Sequence, residues 1–341
     1  MMPPVNVIAY TQGQHVPSAR FRVRQYIPDL AEHGIFLKES YTAWGGYPPH
    51  AKWARPFWGA ASLMQRLAQL ARPADARMTL LQRELFSTLA TLERFTRRPR
   101  LFDVDDAVWL PRPAATQTIA RACDGIICGN AFLANRFSRW HKQIYILPTA
   151  IDIQRFKPAA ATDPARPRPV IVWSGSSSGF VYLHSIEAAL QRVLTACPDA
   201  RLRIIADRPP RLTRIDARRV EFWRWDPQAE VIGLQQADIG IMPLIDTEWA
   251  RGKCSFKLLA YLACGLPVVA DAVGMNTDIL SMAKSGLAAN GQGQWVDALL
   301  HVIDHIDHYK HVALKDRATI AHAYGTPAIA ARLAAIIRKF C

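Results

Sequence analysis

No apolar run in this chain approaches the roughly 20 residues that a membrane-spanning helix requires. Cysteine is sparse and scattered: Cys123, Cys128, Cys197, Cys254, Cys264 and Cys341. Neither Cys123/Cys128 nor Cys254/Cys264 has the spacing of a zinc ribbon or a CxxC redox pair, so free thiols in a reducing cytoplasm are expected. The opening MMPPVNVIAYTQG lacks the charged start, apolar stretch and cleavage site of a signal peptide. No GxGxxG follows the first strand-like segment, which speaks against a dinucleotide-dependent enzyme. There is no zinc finger, no aromatic signature of an RNA-recognition sheet and no long basic run, so nucleic acid is not expected as a partner.

What the chain has is length and positive charge. Its 341 residues suffice for two domains of ordinary size. Half of them are hydrophobic and 21% are charged, the balance of a globular protein. With 42 Lys and Arg against 28 Asp and Glu, the net charge is +14, and the excess leans toward the first 150 residues. Such a surface suits an anionic partner. With nucleic acid set aside, phosphorylated small molecules and anionic membrane remain.

Short apolar runs alternate with helical patterns. Residues 5–10, 78–82, 101–104, 125–128 and 144–147 read as strands. Residues 21–33, 86–95, 116–123 and 131–140 read as helices, and Gly34 ends the first. Residues 158–169 (PAAATDPARPRP) read as a linker, because proline suits neither a helix interior nor a central strand. The pattern then restarts, with strands at 170–173, 202–206, 239–242 and 267–270 and a helix at 182–196. From Trp295 onward the reading is almost wholly helical. This alternation predicts parallel sheets covered by helices on both faces. The expected class is α/β, with two Rossmann-like, doubly wound domains at 1–157 and 158–327 facing a cleft. Ligands in such folds sit outside the carboxyl ends of the strands.

Two loops fall at such ends in the second half. One is Gly175-Ser176-Ser177-Ser178-Gly179. The other is Arg251-Gly252-Lys253-Cys254-Ser255-Phe256-Lys257, a basic, small-residue turn that feeds a short apolar helix. A helix start offers backbone N–H groups and the positive end of its dipole, and two lysines beside it suit a diphosphate. The plainer alternative is a helix before a parallel strand, with its lysines solvated.

The order of motifs is more specific than any one of them. Residues 238–244 (DIGIMPL), 251–259 (RGKCSFKLL), 261–270 (YLACGLPVVA) and 273–276 (VGMN) resemble the donor-binding half of GT-B glycosyltransferases, group 1, of the retaining family 4. Residues 17–22 (PSARFR), 103–109 (DVDDAVW), Gly129-Asn130 and 147–152 (LPTAID) stand in the order such sequences show, so the likeness runs along most of the chain. The resemblance implies a nucleotide-sugar donor bound mainly by the second domain and an acceptor held by the first. It implies retention at the anomeric carbon, no obligatory metal or other cofactor, and a last helix at 328–341 that crosses back onto the N-terminal domain.

The same resemblance assigns the residues. Lys253 and Lys257 hold the leaving diphosphate as catalytic groups. Arg251, Cys254, Ser255 and Phe256, with Gly175, Ser176 and Ser177, form the donor-binding set. The family commonly carries two glutamates spaced E-x7-E across this turn, the first contacting donor-sugar hydroxyls and the second the ribose. Their slots here are Gly252 and Ala260. The usual Arg/Lys pair after the first strand of the domain is replaced by the serine-rich loop. These departures motivate an alternative, a non-catalytic GT-B-like binding or partner subunit.

In the first domain, Arg20 is expected as a third catalytic group, acting at a phosphate of donor or acceptor, since it follows the loop after the first strand. Arg22, Glu84, Asp105 and Asp106 are expected at the cleft or acceptor. The triplet Asp103-Val104-Asp105 could in principle hold a cation on a diphosphate, but acidic residues at strand ends also cap helices, and the later motifs argue against a metal. His15 reads as a solvated loop residue, and His301/His305 as part of a solvated helix face. Residues 52–72 mix Trp53, Phe57, Trp58, Leu63, Met64 and Leu67 with cations. They suit either a helix packing its apolar stripe on the core or an amphipathic segment on anionic membrane. The expected activity is transfer of a sugar from a nucleoside-diphosphate sugar to a glycan or lipid-linked acceptor. Bacterial surface polysaccharide is the expected product, made in the cytoplasm at the inner face of the membrane.

Overall fold

The computed structural model describes residues 3–14, 16–46, 48–49, 51–71, 75–86, 89–160 and 169–341. His15 and most of the proline-rich segment lie outside the described residues. The chain forms two compact units. The first is Met1–Ala150 with Gly252–Cys254 and Thr326–Cys341; the second is Ile151–Arg251 with Ser255–Gly325. The division at Ala150 precedes the boundary at 157 read from the linker. Arg155 donates to the Pro227 carbonyl at 2.7 Å, and Phe156 packs edge-on against Phe256, so this segment already belongs to the second unit.

The first unit is built on β1 (Val5–Thr11), β2 (Ile35–Tyr41), β3 (Met78–Gln82), β4 (Arg100–Val104), β5 (Gly125–Cys128) and β6 (Ile144–Ile146). They lie in the order β2-β1-β3-β4-β5-β6, all parallel. Strand order reverses between β1 and β3, which opens a crevice at their carboxyl ends. One face of the sheet packs on Tyr26 and Leu30, and on Ile329, Leu333 and Ile337 of the helix Thr326–Arg338. That helix is tied down by Arg332 to the Ile146 carbonyl and by Arg338 to the His33 carbonyl.

The second unit is built on β7 (Val170–Ser174), β8 (Arg201–Ala206), β9 (Val220–Arg224), β10 (Ile239–Met242), β11 (Val268–Asp271) and β12 (Gly286–Ala289). Their order, β12-β11-β10-β7-β8-β9, is again all parallel and reverses between β7 and β10. Trp173 and Trp295 are fully buried in its core with Leu190, Ile204 and Leu299. Each unit is thus a doubly wound α/β sheet.

Three strands were not legible in the sequence: β2, β9 and β12. All three are edges. An edge strand buries less, so β2 (IFLKESY) and β9 (VEFWR) mix charge with apolar residues. The helix expected over 86–95 does not form. Phe86 and Leu89 make an antiparallel bridge, and among the described residues of this stretch only Glu93–Phe95 makes a helical turn, of 3-10 type. The buried Glu93 carboxylate accepts from the backbone N–H groups of Leu85 at 2.9 Å and Thr91 at 2.6 Å, which replaces helical bonding there.

The helix Arg55–Ala71 is inverted. The side chains it buries are Ser62 and Arg66, whereas Trp53 in the turn before it is 78% exposed and Phe57 and Met64 are 73% and 66% exposed. Its apolar stripe therefore does not pack on the core, contrary to the commoner reading of such a pattern. Polar bonds hold it instead. Arg66 donates to the carbonyls of Thr11 at 2.5 Å, Leu85 at 3.3 Å and Ser40 at 3.3 Å. Gln69 donates to the Tyr41 carbonyl, and Trp58 donates its indole N–H to the Trp44 carbonyl.

Candidate active site

At the carboxyl ends of β1, β3, β4 and β5, loops of the first unit gather a mixed-charge cluster. Gln12 follows β1 and donates to the backbone carbonyl of Glu84 at 3.2 Å and to its carboxylate at 3.4 Å. Glu84 is buried, and that burial pushes its carboxyl above the usual carboxylate range. Arg83, at the end of β3, holds a left-handed backbone (φ 63°). Ser255 is the other such non-glycine among the described residues (φ 51°). Left-handed backbone in a side-chain-bearing residue is uncommon and clusters at functional loops. After β4, one oxygen of Asp105 is buried without a hydrogen-bond partner. Asp106 lies 3.8 Å from Arg83 and 3.9 Å from Lys253.

Lys253 reaches this cluster because Gly252–Cys254 packs within the first unit. Asn130 donates to the Lys253 carbonyl at 3.0 Å while its own carbonyl oxygen caps the helix Ala131–Phe137 through the Leu133 N–H. The Cys254 thiol donates to the Asp105 carbonyl at 3.2 Å and is buried, which pushes its pKa up. A Cβ on Gly252 would stand 2.9 Å from both N and Cβ of Ala107. That contact leaves no room at 252 for a carboxylate side chain. Ala260 is buried in its helix and offers no polar group either.

Arg22 and Arg20 part company. Arg22 is fully buried and makes a two-pronged bond to Asp103 at 2.5 and 3.0 Å, with further bonds to the Leu147 carbonyl and Thr149. Its guanidinium is committed to the fold and not to the crevice, and so is the first carboxylate of the DxD triplet. Arg20 is partly exposed, with its guanidinium 4.3 Å from the Phe21 ring centre.

The second unit holds the rest of the turn. Lys257 lies with its ammonium 4.2 Å from the Trp173 ring centre. Gly175 permits this: a Cβ there would come within 2.6 Å of that ammonium and 2.8 Å of the indole. Behind it, the Ser174 N–H donates to the Tyr261 hydroxyl. Ser177 donates from backbone and hydroxyl to Asp207, and Ser176 pairs with Ser178, which shapes the serine loop. Ser255 stands before the helix Phe256–Ala263 but does not cap it; its hydroxyl donates to Asn276 at 2.6 Å. The first-turn N–H groups are therefore left to other acceptors than this side chain. Phe256 packs edge-on against Phe156. Arg251 is half-exposed and paired through two bonds to Asp246. A partly exposed cation beside an uncapped helix start, on a glycine and serine loop at the reversal of strand order, is an arrangement that binds anions.

Residues 168–305, most of the second unit, match the family described as glycosyl transferases group 1. Residues 168–305 thus carry a group 1 glycosyltransferase domain. Sucrose-phosphate synthase (tll1590) from Thermosynechococcus elongatus has the same fold, with a TM-score of 0.72 at 13% identity over 98% of both chains. Anabaena Alr3699/HepE in complex with UDP-glucose follows at 0.68 and 12%, over 98% of this chain and 99% of that one. WaaG, a glycosyltransferase involved in lipopolysaccharide biosynthesis, gives 0.67 and 15%, over 98% and 99%. At these identities the likeness is one of fold, and that fold is GT-B. No curated protein sequence matches the chain.

Sequence reasoning gave no role to Trp173 or Asp207, and none of their own to Arg83 and Asn130, which stood only within a polar strand-end cluster and a quoted motif. Asn130 carried a signal, because it directly precedes a helical run where an N-cap belongs. The stacking of Lys257 on Trp173 had none, since the two lie 84 positions apart in sequence and meet only in space.

Proposed function

We propose that this glycosyltransferase moves a sugar, with retention, from a nucleoside-diphosphate sugar to a glycan or lipid-linked acceptor in bacterial surface polysaccharide synthesis. The observation that carries the donor assignment is Lys257, stacked on Trp173 beside Gly175 at the start of an uncapped helix. The fold neighbour HepE, solved in complex with UDP-glucose, supports a nucleotide-sugar as the donor class. Lys253 and Lys257 serve the diphosphate, whose negative charge grows as the glycosidic bond breaks. In this reading the two lysines supply the charge that a divalent metal would otherwise supply. The bond from the anomeric carbon to the diphosphate oxygen breaks with its electron pair going to that oxygen, the acceptor hydroxyl bonds to the carbon from the same face, and the departing phosphate oxygen takes the hydroxyl proton. No protein nucleophile is needed. Glu84, Asp105 and Asp106 are assigned to hydroxyl groups of the sugars.

Incubation with UDP-, GDP- and dTDP-sugars, followed by NMR of the released or transferred sugar, tests this reading. Slow donor hydrolysis or transfer with the anomeric configuration kept is expected. Inversion overturns retention, and failure of every donor to bind overturns the donor assignment.

The inverted helix supports an acceptor at a membrane. Trp53, Phe57 and Met64 face solvent next to Lys52 and Arg55, a composition that inserts aromatic side chains among anionic headgroups. No helix among the described residues is long and apolar enough to cross a membrane. The protein is expected to sediment with vesicles containing phosphatidylglycerol and not with neutral ones. The double substitution Trp53→Ser/Phe57→Ser is expected to lower that binding at least tenfold while leaving the melting temperature unchanged. Equal sedimentation of the variant removes the helix from the contact.

A further inference from the structure

Resting on the reading of Lys257 as a diphosphate ligand, we propose that Tyr261 is a positioning residue for sugar transfer. Its buried hydroxyl fixes the loop after β7, and that loop fixes the Lys257 ammonium at the leaving diphosphate.

The strand pairing creates the need for this hydroxyl. The ladder between β7 and β10 ends at Val172 opposite Gly240, where the strand order reverses and a crevice opens. Beyond that point, Gly175 donates its N–H to the Ile205 carbonyl of β8 at 2.9 Å. Successive strand residues turn their N–H groups to opposite sides, so Ser174 turns its own toward β10, past the last paired residue. Ser174 is buried, and a buried N–H without an acceptor is costly. The Tyr261 hydroxyl is that acceptor, at 2.9 Å. Its ring packs over residue 240 only because that residue is glycine; a Cβ there would overlap the ring. Burial, against the pull of the Ser174 bond, pushes the Tyr261 pKa up, so the hydroxyl stays protonated at working pH.

Tyr261 stands one turn after Lys257 on the helix Phe256–Ala263, so the two share a face of it. One short stretch of chain meets both. Ser174 is bonded to Tyr261, while Trp173 and Gly175, on either side of it in sequence, lie against the Lys257 ammonium. Trp173 is fully buried and packs on Phe180, with 5.6 Å between ring centres, so the indole has little freedom. Gly175 has no side chain to hold it; its place rests on the single bond to β8 and on the Ser174 it follows. The Ser174 hydroxyl donates to Glu230 at 3.1 Å, which fixes that side chain but not its backbone N–H. Loss of the Tyr261 hydroxyl therefore loosens the segment beside the ammonium. A shift of about 1 Å there matters most where charge develops, which is the diphosphate in the transition state.

Steady-state hydrolysis of UDP-, GDP- and dTDP-glucose by the full chain compares wild type, Tyr261→Phe and Leu299→Ala. Leu299 is buried in the core of the same unit, so its truncation lowers the melting temperature without a change at the loop. For a donor that wild type turns over, Tyr261→Phe is expected to lose about 10- to 100-fold in kcat while KM stays within about threefold. Leu299→Ala, corrected to its folded fraction by the stoichiometry of nucleoside-diphosphate binding, is expected to keep both constants. A kcat of Tyr261→Phe within about threefold of wild type, or a loss that Leu299→Ala reproduces, overturns the proposal and leaves the donor assignment standing. Should Tyr261→Phe not fold, or wild type bind a donor without turning it over, hydrogen exchange of wild type decides. The Ser174 and Gly175 amides are expected to exchange as slowly without UDP as with it, because the hydroxyl fixes the loop beforehand. Slow exchange that appears only with UDP overturns the proposal. If UDP, GDP and dTDP all fail to bind wild type, it is the donor assignment that falls, and this role of Tyr261 falls with it.

Discussion

Lys253→Ala is expected to abolish most of the rise in melting temperature that a nucleoside diphosphate produces, and to lower sugar transfer on the order of 10²- to 10³-fold. The expectation rests on where the charge is needed. The leaving group gains negative charge in the transition state, and a fixed ammonium there is worth more than one that must first be ordered. Lys253 is held by the Asn130 bond to its carbonyl and by the tight packing of Gly252 on Ala107, so its side chain starts from a defined place. Lys257→Ala is expected to lose a comparable factor, because Gly175 and Trp173 hold that ammonium in turn. Arg251→Ala provides the contrast. Arg251 and Asp246 are each about half exposed and satisfied by one another, so a loss below about fivefold is expected. Thermal shift with UDP and a steady-state transfer assay check all three. An unchanged shift in Lys253→Ala removes that residue from the donor site.

Arg22→Met is expected to cost about 3–5 kcal/mol of stability, the largest single loss among the residues discussed. The guanidinium is wholly buried and joins β4 through Asp103 to the loop after β6 through Leu147 and Thr149. Removing it leaves the Asp103 carboxylate in the core without its counter-charge, and two further acceptors, the Leu147 carbonyl and the Thr149 hydroxyl, without this donor. Urea unfolding followed by circular dichroism measures the loss. The double variant Arg22→Met/Asp103→Leu is expected to recover part of it, since an apolar pair avoids the unpaired charge. A loss under about 1 kcal/mol in Arg22→Met would show that the pair does not hold the unit together, and would return Arg22 to consideration as a ligand.

The contrast between Arg20 and Arg22 shows where sequence reading stops. Two residues apart in one segment, they looked equivalent. The fold buries one in a paired network and leaves the other partly exposed. Central strands such as β3, β5 and β10 were legible because a strand buried on both faces reads as a continuous apolar run. The edges β2, β9 and β12 were not, since burial on such strands is partial; charge also breaks the run in β2 and β9, and β12 is only the four residues GLAA. The stretch 86–95 misled because one buried carboxylate, Glu93, takes the N–H groups that a helix would have used.

By itself the sequence determined that this chain is two runs of alternating strand and helix, that both sheets are parallel, and that its ordered motifs are those of a sugar transferase. Each of these is written in local periodicity and in short contiguous segments, which report burial and backbone geometry residue by residue. Tertiary structure alone decided that Lys253 faces Asp106 across 147 positions of sequence, that Lys257 lies on Trp173, that Gly252 has no space for a carboxylate, and that the helix Arg55–Ala71 turns its apolar face outward. The reason is physical. Pairing between distant side chains depends on which loops the sheets bring to their carboxyl ends, and an amphipathic pattern states that a helix has two faces without stating which of them the core accepts.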